Sequence, residues 1–158
     1  MKVVSNTSPI YYLLIIDEVH LLPDLFGEII IPEAVASELA VQGAPDLVRN
    51  WIKYPPPWLK IRAVTISISP VLRRLHPGEQ EAIALAQQIL ADLVILDEKI
   101  ARQIAIGQNL NITGLLGILD IAATQNLTNL SAAIERLQRT NFRVSPHLLK
   151  ILLDKRKL

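Results

Sequence analysis

The chain has 158 residues, the length of one domain at about 150 residues each, with 51% apolar and 20% charged residues. Its 26 Leu, 21 Ile and 10 Val, against seven aromatics, exclude the compositional signature of disorder. The absence of Cys removes disulfides, thiolate zinc sites and cysteine nucleophiles, and a formal net charge of +1 supplies no long-range attraction to nucleic acid.

In chain order, Lys2 to Asn6 reads as a short strand whose adjacent apolar residues suit a central parallel position. Ser8-Pro9 predicts an N-cap and first helical residue for a helix over Ile10 to Ile16. A helix over His20 to Phe26 stops at Gly27, a strand covers Glu28 to Ile31, and Pro32 starts a helix from Glu33 to about Gln42. A helix over Asp46 to Lys53 precedes the rigid Pro55-Pro56-Pro57 connection and a strand near Leu59 to Val64. Ser69-Pro70 and Pro77-Gly78 open helices over Val71–Leu75 and Glu79–Leu90. A strand over Leu93 to Leu96, a helix over 98–106, a strand near Asn111 to Thr113 and helices near 115–125, 129–139 and 146–155 complete the chain.

Strands alternating with helices predict a parallel sheet with helices on both faces, a doubly wound α/β sandwich. The longest dense apolar run, Ile10 to Ile16, is far short of the roughly 20 residues a membrane span takes. Met1 to Asn6 turns polar too early for a secretory leader, so no membrane association and a cytoplasmic location are expected. The three His residues (His20, His76, His147) are scattered, which leaves carboxylates, hydroxyls, amides and a hard metal ion to carry any chemistry.

In such a sheet, ligands bind beyond the carboxyl ends of the strands, where Asn6 and Asp97 fall. Glu79 shares a helical face with Ile83, Ala86 and Leu90 and points toward the sheet, while Glu81 is turned about 200° away toward solvent. Glu38 lies with Ala34, Val35 and Val41, so it is the inward acid of its helix; Glu33 is not. Each acid also has a plain structural reading: Asp97 as the cap of the helix beginning at Glu98, Glu79 as a first-turn acid. Convergence of Glu38, Glu79 and Asp97 would instead give the oxygen donors that Mg²⁺ or Mn²⁺ requires.

Five segments in this order carry a family likeness: Val3-Val4-Ser5-Asn6-Thr7-Ser8-Pro9; Phe26-Gly27-Glu28 to Ile31-Pro32-Glu33-Ala34-Val35; Pro77 to Ala86; Leu96-Asp97-Glu98-Lys99-Ile100-Ala101-Arg102; and Gly114-Leu115-Leu116-Gly117. Together they resemble PIN-like proteins of the toxin–antitoxin type, and more narrowly a poorly characterised PIN-like branch. The resemblance spans nearly the whole chain and implies a single PIN-like domain over 1–158, a three-layer sandwich with a short central parallel sheet. It also implies a divalent-metal-dependent ribonuclease, a cognate antitoxin and a homodimer. Carried onto this chain, the catalytic acids are Glu38, Glu79 and Asp97, the ligands of Mg²⁺ or Mn²⁺ are these three with Asn6, and Ser5, Thr7 and Ser8 are placed to orient water or phosphate.

Two positions depart from the family pattern. Asn6 stands where active PIN nucleases usually carry Asp, which leaves three acids where there are usually four, and Leu115 replaces a hydroxyl residue. These departures define the alternative reading, a catalytically weakened module that binds RNA or protein. Lys99 and Arg102 follow Asp97 closely and could flank a bound phosphate; Arg73-Arg74 and the tail Lys155-Arg156-Lys157 are further candidates. Asp120, three residues past Gly117, could compensate for Leu115 or stand alone on a helix surface. The aromatics are too scattered in sequence to predict base stacking.

Overall fold

A computed structural model describes residues 1–155; Arg156 and Lys157 of the basic tail lie outside the described residues. Five strands, β1 (Val3–Ser5), β2 (Ile29–Pro32), β3 (Leu59–Arg62), β4 (Leu93–Ile95) and β5 (Ile112–Thr113), form one all-parallel sheet in the order β3-β2-β1-β4-β5. All three residues of β1 and all four of β2 are buried, as central parallel strands covered on both faces require. The chain winds outward from β1 to β3, then returns to lay β4 on the other side of β1. The winding direction therefore reverses between β1 and β4, which puts Asn6 and Asp97 at the ends of the two strands flanking the switch point.

Flanking helices are α1 (Thr7–Ile15), α2 (Leu21–Phe26), α3 (Glu33–Leu39), α4 (Asp46–Lys53), α5 (Pro77–Ile89) and α6 (Lys99–Gly107). Helix α5, opened by Pro77 at its first position, lies against β1, β2 and β4 and buries Ala82 to Ala86 without a break. Val4, Ile30, Val94 and Leu96 meet this stripe, together with Ala101 and Ala105 of α6 and Leu72 and Leu75 of the preceding segment. Small alanines on α5 let the helix axis approach the sheet closely, and the branched strand residues fill the remaining space.

Residues 1–115 form one compact unit and the chain from 116 onward a second. The second contains most of α7 (Leu115–Thr124), with α8 (Leu130–Gln138) and α9 (Pro146–Asp154), whose Ser145 hydroxyl accepts from the Leu148 N–H as an N-cap.

Several local expectations are corrected. Helix α1 begins at Thr7, with Asn6 rather than Ser8 at the cap position. The segment 71–75 contains only a short 3₁₀ turn, Pro70–Leu72. Helix α3 ends at Leu39, so Val41 lies beyond it and is 51% exposed. Glu81 does not face open solvent: its Oε1 accepts the Ala34 N–H at 3.0 Å and satisfies an otherwise orphaned donor in the first turn of α3.

Candidate active site

Asn6 occupies the N-cap position of α1 in extended conformation (φ −80°, ψ 176°), where an Asn side chain ordinarily accepts from the first-turn backbone. Here it makes no cap bond, although its backbone N–H donates to the Ile95 carbonyl at 3.0 Å and ties β1 to β4. The residue is 5% exposed, and its Oδ1 is buried without a hydrogen-bond partner. A buried unsatisfied acceptor costs about 1–3 kcal/mol, so this oxygen is conspicuous.

Asn6, Glu38 and Glu79 line one cleft of about 420 Å³, with Thr7, Ser8, Tyr11, Tyr12, His76 and Pro77. Glu38 projects from α3 toward the starts of two other helices. Its Oε1 accepts from the Thr7 hydroxyl at 2.5 Å and its Oε2 from the Gly78 N–H at 2.8 Å. Glycine at 78 leaves room for this approach, because a Cβ there would lie 2.8 Å from Glu38 Cδ and Oε2 and closer still to Oε1, and the carboxylate would have to shift. Glu79, 6% exposed, sits at the third position of α5, where its Oε1 accepts the His76 N–H at 3.1 Å. Its predicted first-turn role is thus real, and it coincides with a place in the cleft wall.

Asp97 follows β4 and is held by the residue next to Thr7: the Ser8 hydroxyl donates to its Oδ2 at 3.2 Å, and the Leu115 N–H donates to its Oδ1 at 2.8 Å. The cap of α6 is Glu98, whose carboxylate accepts the Ala101 N–H at 2.8 Å, so Asp97 is not used as the cap. Gly114 repeats the logic of Gly78: a Cβ would fall 2.8 Å from Asp97 Oδ1 and 2.7 Å from Arg102 Nη1. At both positions the missing side chain leaves room for a carboxylate that accepts a backbone N–H, of Gly78 itself in one case and of the next residue, Leu115, in the other. Leu115 serves through its main chain, so its lack of a hydroxyl does not deprive Asp97 of a donor.

A family model described as PIN domain matches residues 2–157. The chain belongs to the PIN domain family. No curated protein and no solved structure matches it. A PIN domain is a nuclease-type fold, and its matched segment spans every residue of the cleft.

The electrostatics of this PIN domain follow from burial. Desolvation pushes the Glu79 carboxyl above its ordinary value; the His76 N–H pulls it back, while the charges of Glu98 and Glu38 push it further up. Burial likewise raises Asp97, opposed by the Leu115 N–H, the Ser8 hydroxyl and the Arg102 charge. The Tyr12 phenol is raised by burial, by Tyr11 and by the Asp97 charge, so the tyrosine wall and the Asp97 corner are within electrostatic reach.

The donor set is all oxygen, one of it an unpartnered buried amide oxygen, and suits a hard divalent cation. Among the described residues, no three His, Asp or Glu side chains already stand close enough to hold one ion. Glu38 and Glu79 share the cleft with Asn6, whereas Asp97 reaches the same helix start through Ser8.

The remaining expected residues separate. Ser5 is fully buried and its hydroxyl donates to the Asn6 carbonyl at 2.9 Å, which removes it from any contact with substrate. Thr7 and Ser8 line the cleft, but their hydroxyls donate to Glu38 and Asp97, so they position acids. Arg102 is half-buried with Nη1 on the Leu96 carbonyl at 2.8 Å, while Lys99, Arg73 and Arg74 are exposed. Asp120 is paired with Lys155 at 2.9 Å, which commits both. Sequence spacing did not reveal the distant partners of the acids: Glu38 with Thr7 and Gly78, Glu81 with Ala34, and Asp97 with Ser8 and Leu115.

Proposed function

We propose that this PIN domain is a divalent-metal-dependent ribonuclease, the toxin component of a toxin–antitoxin pair. The observation that carries the reading is the Asn6 carboxamide: the residue lines the cleft with two glutamates, leaves its helix cap unmade, and has a buried Oδ1 without a hydrogen-bond partner. Glu38, Glu79 and Asp97 would hold Mg²⁺ or Mn²⁺ with Asn6. When bound, such an ion supplies Lewis-acid activation of water and neutralises phosphate charge.

The chain's own residues do the positioning. Thr7 and Gly78 fix both oxygens of Glu38, and Ser8 and Leu115 fix both of Asp97, so neither acid must be ordered when a phosphodiester arrives. Lys99 stands exposed two residues beyond Asp97, available to a phosphate of the RNA. In this reading the chain acts as one domain, a cytoplasmic homodimer covered by an antitoxin when silent; the family match over residues 2–157 supports the PIN domain on which it rests.

A second reading, a module that binds RNA or protein without cutting, is favoured by the uncharged Asn6 and by acids that do not yet crowd one point. Incubation of purified protein with single-stranded and structured RNA in Mn²⁺, beside Glu79→Gln and Asn6→Asp, separates the two. Cleavage by the wild type that disappears in Glu79→Gln is the expected result. Activity seen only in Asn6→Asp would establish the second reading.

A further inference from the structure

Two aromatic rings stand on the wall of the cleft that holds the acids. Tyr11 and Tyr12, both half-buried, line it with Asn6, Glu38 and Glu79. Their rings meet edge to face, with centroids 5.0 Å apart and planes at 84°. Two of only seven aromatics in the chain are thereby gathered at the one place where chemistry is concentrated.

We propose that Tyr11 is a stacking residue that seats an unpaired base beside the scissile phosphate; this rests on the ribonuclease reading above. Asn6 and Glu79 are 5% and 6% exposed, at the bottom of a cleft of about 420 Å³, so a phosphate must be carried down to them. A duplex holds its backbone on a stiff stacked cylinder and keeps its bases paired inside, out of reach of a protein ring. A single strand bends its backbone inward and turns a base face onto an aromatic side chain, an interaction tolerant of sequence because every base has such a face. Arg73 and Arg74, exposed on the segment leading to His76 at the cleft wall, supply charge for flanking phosphates. A hydroxyl-bearing ring at position 11 is not required by the packing of α1, whose buried residues are Pro9, Ile10, Leu13 and Leu14.

The test uses the full chain carrying Glu79→Gln to suppress cleavage, and fluorescence anisotropy with three probes: a labelled single-stranded RNA, the same strand in a duplex, and the strand with one abasic nucleotide. Tyr11→Leu is expected to weaken single-strand binding about 5- to 150-fold, and Tyr11→Phe to recover most of that loss, since the ring is what stacks. The abasic probe should bind the Tyr11 protein equally weakly, with little further loss on Tyr11→Leu, and it tests the claim even where the leucine variant folds poorly. RNA that is bound and cleaved by wild type while Tyr11→Leu and the abasic probe change nothing, or a duplex bound as well as the single strand, would overturn the stacking site alone. A protein that neither binds nor cleaves any of the RNAs would overturn both this inference and the reading beneath it.

Discussion

Gly78→Ala is the sharpest probe of the site, because its sign runs against ordinary helix energetics. Alanine is preferred to glycine inside a helix by up to about 1 kcal/mol. At Gly107 in α6, where an added Cβ meets nothing within 4 Å, the substitution should deliver that gain, raising the Tm by about 1–4 °C. At Gly78 the Cβ would lie 2.8 Å from Glu38 Cδ and Oε2, so the carboxylate must retreat by about 0.6 Å or more to ordinary contact distance. That retreat breaks the 2.8 Å bond from the Gly78 N–H, a bond to a charged group worth about 1.5–3 kcal/mol. Set against the helix gain, the net loss is about 0.5–2 kcal/mol, a fall of roughly 1–8 °C in thermal melts. Because a misplacement of about 1 Å can cost about 10²-fold in rate, RNA cleavage should fall by about 10- to 100-fold. In a Glu38→Ala background the clash is gone and Gly78→Ala should become stabilising, which closes a double-mutant cycle. A Gly78→Ala protein that melts higher, as Gly107→Ala does, and cleaves normally would refute the claim that this glycine leaves room to seat Glu38.

Gly114→Ala should be at least as damaging to cleavage, since its Cβ would meet Asp97 Oδ1 at 2.8 Å and the immovable Leu96 carbonyl at 3.3 Å; kinetics beside a melt separate lost activity from lost fold. Thr7→Val removes the hydroxyl that holds Glu38 and should cost about 1–2 kcal/mol, whereas Thr7→Ser keeps the donor and should melt close to wild type. Glu79 and Asp97 have raised pKa values, so the folded chain keeps protons the unfolded chain has released. Metal-free stability therefore falls as pH climbs from the ordinary carboxyl range through the raised values and is flat above them. Glu79→Gln should accordingly raise the metal-free Tm at pH 7 and leave it nearly unchanged near pH 3, a pattern that calorimetry over pH will verify or reject. Asn6→Asp adds a third carboxylate to the cleft, beside Glu38 and Glu79: it should lower the Tm in chelator and gain more than wild type from millimolar Mn²⁺, a ligand at 100 times its Kd contributing about 2.7 kcal/mol.

What the sequence revealed and what it concealed divide along one physical line. Short apolar runs such as Val3-Val4 and Ile29-Ile30-Ile31 can be read because a strand buried on both faces has no polar alternative. Helical spacing placed Glu38 and Glu79 on inward faces for the same reason, and both line the cleft. Partners separated along the chain were invisible. Glu81 capping Ala34, Ser5 turned into the Asn6 carbonyl, and Arg102 on the Leu96 carbonyl depend on where other elements lie in space, which periodicity within one helix does not encode. The cap of α1 was misplaced because Ser8-Pro9 carries the usual signal, whereas the helix starts at Thr7 behind an Asn6 whose side chain declines the usual bond.

The bonds that seat the two anchored acids join residues far apart: Thr7 to Glu38, Gly78 to Glu38, Ser8 to Asp97 and Asp97 to Leu115. The two acids therefore differ in reach: every bond that seats Glu38 closes within residues 7–78, whereas Asp97 needs a donor from residue 115. A fragment that stops short of Leu115 can thus seat Glu38 but leaves Asp97 Oδ1 without its backbone donor.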